Sequence, residues 1–132
     1  ASIRGLHLLL AEDNELNAEI AARLLNDEGA TVQVVRDGQQ AIDAFASRPQ
    51  GTYDAILMDI MMPKIDGYTA TRVIRSINRQ DAKTIPIIAM TAHVFDEDVK
   101  QCLEAGMNAH LPKPLQMEKV VSTIARLCKR KK

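Results

Sequence analysis

A chain of 132 residues, 46% of them hydrophobic, can bury one real core and reads as a single domain, 1–132, with its core over about 6–128. Seventeen Lys and Arg balance seventeen Asp and Glu, which argues against nucleic acid or an anionic membrane as the main partner. Cys102 and Cys128 lie in helix-like segments without metal-ligand spacing, and the longest early apolar run, residues 8–11, is too short for a membrane span or signal-peptide core; a soluble, cytoplasmic domain is expected.

Residues 6–11 read as a buried strand, followed at once by Glu12, Asp13 and Asn14. Asn14 suits a helix N-cap, and Leu16, Ile20 and Leu24 recur at helical spacing before Gly29 closes the helix. Residues 31–35 are β-branched and strand-like, and Asp37-Gly38 turns into a helix with Ala41, Ile42 and Phe45 inward. A loop over 48–51 leads to residues 55–58, a strand of the kind buried on both faces, which delivers Asp59. Asp66 caps a third helix carrying Ala70, Val73, Ile74 and Ile77. Residues 85–90 form a fourth strand, with Pro86 tolerated at its start. Thr91, Ala92 and His93 come next, then a helix using Val99, Cys102 and Leu103 and ending near Gly106. Residues 109–111 form a short fifth strand before Pro112-Lys113-Pro114, and Met117, Val120, Val121, Ile124, Leu127 and Cys128 mark the last helix.

Five alternating strand–helix pairs with apolar strands imply a parallel sheet covered by helices on both faces. A closed eight-fold barrel needs roughly 250 residues, so the sheet is open. In such sheets ligands bind beyond the carboxyl ends of the strands. Those ends carry Glu12 and Asp13 (first), Asp37 (second, at an edge), Asp59 (third), Thr91 (fourth) and Lys113 (fifth).

If the first, third, fourth and fifth strands are neighbours, three carboxylates meet one ammonium. One divalent cation brings the formal charge to zero, and oxygen donors without His or Cys select a hard ion, Mg²⁺. The set suits phosphoryl transfer: Asp59 as nucleophile, Lys113 and the metal neutralising charge, Thr91 donating its hydroxyl. Taken singly each residue has a plainer reading. Glu12-Asp13-Asn14 is a helix-start cluster, Thr91 an N-cap, Lys113 a surface lysine, His93 and His110 edge residues, the methionines core filler, and the terminal Lys129-Arg130-Lys131-Lys132 a solvated helix end. Their joint occurrence at successive strand ends is what the plainer readings leave unexplained.

Four ordered motifs carry a resemblance: Leu8-Leu9-Leu10-Ala11-Glu12-Asp13-Asn14; Met58-Asp59-Ile60-Met61-Met62-Pro63 with Asp66-Gly67; Ile87-Ile88-Ala89-Met90-Thr91-Ala92; and Leu111-Pro112-Lys113-Pro114. With them the chain resembles, over nearly its whole length, the receiver (response-regulator) domain of two-component signalling; Glu12-Asp13-Asn14-Glu15-Leu16-Asn17 with Met90-Thr91-Ala92-His93 looks most like receivers of hybrid sensor histidine kinases. The resemblance implies a flavodoxin-like (βα)5 fold with strand order 2-1-3-4-5. It implies Asp59 as acceptor of a phosphoryl group from a phosphohistidine on a histidine kinase or histidine phosphotransfer protein. It further implies Mg²⁺ held by Asp13, Asp59 and the Met61 carbonyl, with Glu12 acting through water, and Thr91 and Lys113 gripping the phosphoryl group. The Lys113–Pro114 bond is implied to be cis. The family's aromatic switch position is matched by His110, a departure. Glu15, Asn17, Ala18 and Ala22 of the first helix, with the loop after Lys113, are implied to bind the phosphohistidine-bearing helices.

The chain carries no kinase ATP site or output domain, and a monomeric fragment of a longer protein is expected. Two rivals stand beside this reading. A Mg²⁺-dependent phosphatase with an aspartate nucleophile needs a second acid two residues on, where Met61 stands. A receiver-like interaction module that is never phosphorylated would have no need of the polar groups.

Overall fold

Five short parallel strands, β1 (His7–Ala11), β2 (Thr31–Val35), β3 (Ala55–Asp59), β4 (Ile87–Thr91) and β5 (Ala109–Pro112), form one sheet in the order β2-β1-β3-β4-β5. They come from a computed structural model that describes residues 2–92 and 96–128, the side chains of 96–98 excepted. The readings of His93 and of the terminal basic run lie outside the described residues. The helices are α1 (Glu15–Asp27), α2 (Gly38–Ser47), α3 (Gly67–Ser76), α4 (Gln80–Thr84), α5 (Asp96–Ala105) and α6 (Met117–Cys128). This is the flavodoxin-like arrangement.

Strand period sends alternate side chains to opposite faces. Leu8, Leu10, Leu57 and Ile88 join Leu25 of α1 and Val120 and Ile124 of α6 in one core. Leu9, Ile56, Met58 and Ile87 join Phe45 of α2, Ile74 of α3 and Cys102 of α5 in the other. Both faces are covered, so every β3 residue is buried. Each enclosed Leu or Ile contributes roughly 1.5–3 kcal/mol.

Caps fix where the helices begin, and with them the loops that leave the strands. The side chains of Asn14, Asp37 and Asp66 accept from the N–H groups of Asn17, Gln40 and Thr69. Gly29, at φ 95°, ends α1 in the left-handed region.

Several expectations shift. The stripe Leu16, Ile20 and Leu24 faces outward, 64%, 48% and 36% exposed, while Ala18, Ala21 and Leu25 meet the sheet. Val73 and Leu103 are likewise exposed. β4 starts after Pro86 and runs on to Thr91, and β5 extends to Pro112. The helix α4 has no apolar stripe and was not anticipated. Long-range contacts hold it: Gln50 Oε1 accepts from the N–H groups of Gln80 and Asp81. Among the described residues no helix is long and apolar enough to cross a membrane.

Candidate metal and phosphoryl site

The strand order reverses direction between β1 and β3, so the loops that follow them diverge and leave a crevice at the carboxyl edge. Registers Ala11↔Met58 and Asp59↔Met90 bring the first acids, Asp59 and Thr91 to one level of adjacent strands. Glu12, Asp13 and Asp59 each present a carboxylate oxygen, all within 4.8 Å of one another. Glu12 and Asp59 are 3% exposed, whereas Asp13 lies at the surface.

Lys113 joins the two buried acids. Its Nζ lies 2.8 Å from Glu12 Oε1 and 3.0 Å from Asp59 Oδ2. The Asn14 amide donates to Glu12 Oε2 at 3.1 Å, and the Met61 amide to Asp59 Oδ1 at 3.3 Å. The Lys113 backbone N–H donates to the Thr91 carbonyl at 2.8 Å, tying β5 to the end of β4. The Lys113–Pro114 bond is cis.

These contacts divide the charge unevenly. Burial pushes the Glu12 carboxyl up, but Lys113, the Asn14 amide and Asp59 outweigh it and leave it below the usual range. Burial raises Asp59 more than Lys113 relieves, and Glu12 adds to the rise, from 3.8 to about 6. The shorter donors belong to Glu12, so Asp59 is the member of the pair that takes up a proton first as pH falls. Burial pulls the Lys113 ammonium down, yet Glu12 and Asp59 prevail and raise it.

The donor set is oxygen-only, carries excess negative charge and converges from two loops. It fits a hard divalent cation such as Mg²⁺, which would favour the ionised Asp59 carboxylate. Glu12, Asp13, Asp59, Thr91 and Lys113 are thus brought together. Met61 adjoins through its amide, its side chain 78% exposed. Asp37 stays outside the cluster: buried, it caps α2 and lies 3.7 Å from Lys64 Nζ. His110 is half-buried in β5, opposite Ala89.

Gly67, beside Asp66 in the second motif, opens α3. Its amide donates to the Ile60 carbonyl at 2.9 Å, and a β-carbon there would overlap the Asp59 carbonyl oxygen. The start of α3 therefore abuts the residue that carries the buried acid.

A 380 Å³ groove opens beside the site, between α1 and the loop after β5. Asn17, Ile20, Ala21, Leu24, Pro114 and Leu115 line it, and it shares Glu12 and Lys113 with the acid cluster.

Residues 8–125 match the family model of the response regulator receiver domain. The chain is 38% identical to Histidine kinase 1 of Arabidopsis thaliana, over 97% of this chain and 13% of that protein. It is 39% identical to the osmosensing histidine protein kinase SLN1 of Saccharomyces cerevisiae, over 94% of this chain and 10% of that protein. Among solved structures, it resembles the receiver domain of sensor histidine kinase PA1611 from Pseudomonas aeruginosa PAO1, which has a magnesium ion coordinated in its active-site cleft. There the TM-score is 0.84 at 38% identity, over 95% of this chain and 98% of that one. The chain belongs to the response regulator receiver domain family of two-component signalling. It spans 10–13% of the length of the two kinases.

Proposed function

We propose that residues 1–132 are one receiver domain that accepts a phosphoryl group on Asp59 in a Mg²⁺-dependent reaction. The donor is a phosphohistidine on a histidine kinase or histidine phosphotransfer protein. The domain then switches conformation or relays the group to a histidine phosphotransfer partner. One observation carries this: Asp59, buried at the end of β3, lies within 4.8 Å of two further carboxylates and 3.0 Å from an ammonium.

In the transfer, a carboxylate oxygen of Asp59 forms a bond to phosphorus as the bond from phosphorus to the donor imidazole nitrogen breaks. Lys113 neutralises the phosphoryl oxygens, and the Thr91 hydroxyl donates to one of them. Ala92, small and exposed, leaves room beside it. Asp13, Asp59 and the Met61 carbonyl would hold the ion directly and Glu12 through water. When bound, the ion supplies positive charge to the transferring oxygens and keeps Asp59 ionised. Phosphorylation adds about −1.5 to −2 charge beside Lys113 and Thr91. That pull draws Thr91 and the end of β4 inward and moves α5 with them.

The groove beside α1 supplies a seat for the donor's helix. Ala18, expected on that face, is buried against the sheet because α1 packs closely there, so Ile20 and Leu24 join the expected Asn17 along the groove. A phosphatase would need an acid where Met61 stands, and a silent interaction module would have no use for a buried acid pair bridged by lysine.

Incubation with Mg²⁺ and acetyl phosphate, followed by intact mass, tests the reading. The expected product is a single hydroxylamine-labile phosphoryl adduct, absent in Asp59→Asn. No adduct with acetyl phosphate or with a phosphohistidine donor would sink the proposal, and multiple turnover of an unrelated phosphoester would favour the phosphatase.

A further inference from the structure

Arg36 stands between the end of β2 and the Asp37 cap of α2. Its backbone N–H donates to Gln40 Oε1 at 2.8 Å, and the Gln40 N–H donates to Asp37 Oδ1 at 2.8 Å. The corner is therefore fixed without the Arg36 side chain. The guanidinium nevertheless reaches across to the β1–α1 turn. Nη2 donates to the Asp13 carbonyl oxygen at 3.2 Å, and Nε is enclosed with no acceptor among the described residues. Solvent would satisfy every donor of this group, so enclosing one unpaired is a net expense. The Asp13 carbonyl it bonds belongs to the turn that carries two of the three clustered carboxylates, of which Lys113 offsets only one.

We propose that Arg36 is a positioning residue for Asp13, holding the β1–α1 turn so that the Asp13 carboxylate faces Glu12 and Asp59. This role rests on the reading of the acid cluster as a Mg²⁺ site. Glu12 and Asp59 are anchored by Lys113 and by the amides of Asn14 and Met61. Asp13 is exposed, and its side chain has no such anchor among the described residues. The backbone on either side of it is already engaged: the Glu12 N–H donates to the Val35 carbonyl, and Asn14 caps α1. The Asp13 carbonyl is the remaining handle, and Arg36 grasps it.

The same corner braces the loop that follows Asp59. Lys64 pairs with Asp37, and Gly38 lies so close to the Ile65 carbonyl that a β-carbon would overlap it. The end of β2 contributes no ligand; it buttresses both loops that do.

Mg²⁺ titration of the full chain, followed by backbone-amide NMR shifts, compares the unmodified protein with Arg36→Met and Arg36→Lys. Arg36→Met is expected to weaken Mg²⁺ binding roughly tenfold, and Arg36→Lys to recover part of that loss. The urea midpoint of the chelated protein stays unchanged, and the acetyl phosphate labelling rate returns to normal at saturating Mg²⁺. Equal affinity in Arg36→Met overturns the role, as does a loss that lysine does not relieve at all. Should Arg36→Met fail to fold, Arg36→Gln replaces it under the same criteria. Absence of Mg²⁺ binding by the unmodified chain overturns the metal site itself, and this role with it.

Discussion

Gly67 brings its α-carbon against the carbonyl of Asp59, leaving no room for a β-carbon between α3 and the strand end. Because the obstacle is backbone, no rotamer change can relieve it. Gly67→Ala must push α3 away or displace Asp59, and is expected to cost about 1–3 kcal/mol. Urea unfolding measures this, and wild-type stability in the variant would contradict the packing described.

With metal removed by a chelator, Asp59 carries a pKa raised, chiefly by burial, from 3.8 to about 6. Below its ordinary value the folded and unfolded chains both hold the proton, and the residue is harmless. As pH rises through about 6, the fold must carry the charge and that stability is lost. At about pH 7.5, Asp59→Asn is expected to stabilise the chelated protein by on the order of 2 kcal/mol. The gain should vanish toward about pH 4 and disappear when Mg²⁺ is restored. Urea series at several pH values check this; a gain indifferent to pH would argue against a buried acid.

Arg79 staples α4 to the core. Its guanidinium holds Asp81 through contacts of 2.8 and 3.0 Å, bonds the Arg48 carbonyl at 2.7 Å and lies 4.5 Å over the Phe45 ring. Arg79→Ala is expected to cost about 2 kcal/mol, with a coupling to Asp81→Ala of about 1 kcal/mol in a double-mutant cycle. Burial pushes Asp81 up, but Arg79 and the Gly51 amide outweigh it and hold it below the usual range. Its contribution is therefore full above the ordinary aspartate pKa and lost on acidification below it. Additive single losses would show the pair to be independent.

Ile20 lines the groove beside α1 and is 48% exposed. Ile20→Glu is expected to leave stability within about 0.5 kcal/mol and labelling by acetyl phosphate unchanged. Phosphotransfer from a phosphohistidine protein should slow about tenfold, as loss of an apolar anchor predicts. Equal slowing with both donors would place the effect at the acid cluster instead of the seat.

The strand ends were legible because two signals coincide there: an apolar run fixes the strand, and the first polar residue after it must lie at the sheet edge. Glu12, Asp59, Thr91 and Lys113 could be read in this way. The inward face of α1 could not. Leu16, Ile20 and Leu24 make the bulkier stripe, yet the helix packs through Ala18, Ala21 and Leu25, with alanine allowing close approach to the sheet. Size ranked the wrong face first. α4 was illegible because five polar-rich residues carry no period, and what anchors it, Gln50 and the reach of Arg79 to Arg48 and Phe45, acts through space. The parts of Arg36, Gly38 and Gly67 depend on what lies within a few ångströms, which residue type alone does not reveal.

Glu12 and Lys113 belong to two neighbourhoods, one wall serving both the groove and the acid cluster. On the proposed function, a partner helix seated in the groove would strip solvent from the ion pair beside Asp59. Every charge contact there would strengthen on arrival and slacken on departure, so one shared screen would tune recognition and reactivity together. Redesigning the choice of partner while sparing the chemistry has to begin at Ile20 and Leu24, which line the groove but stand outside the acid cluster.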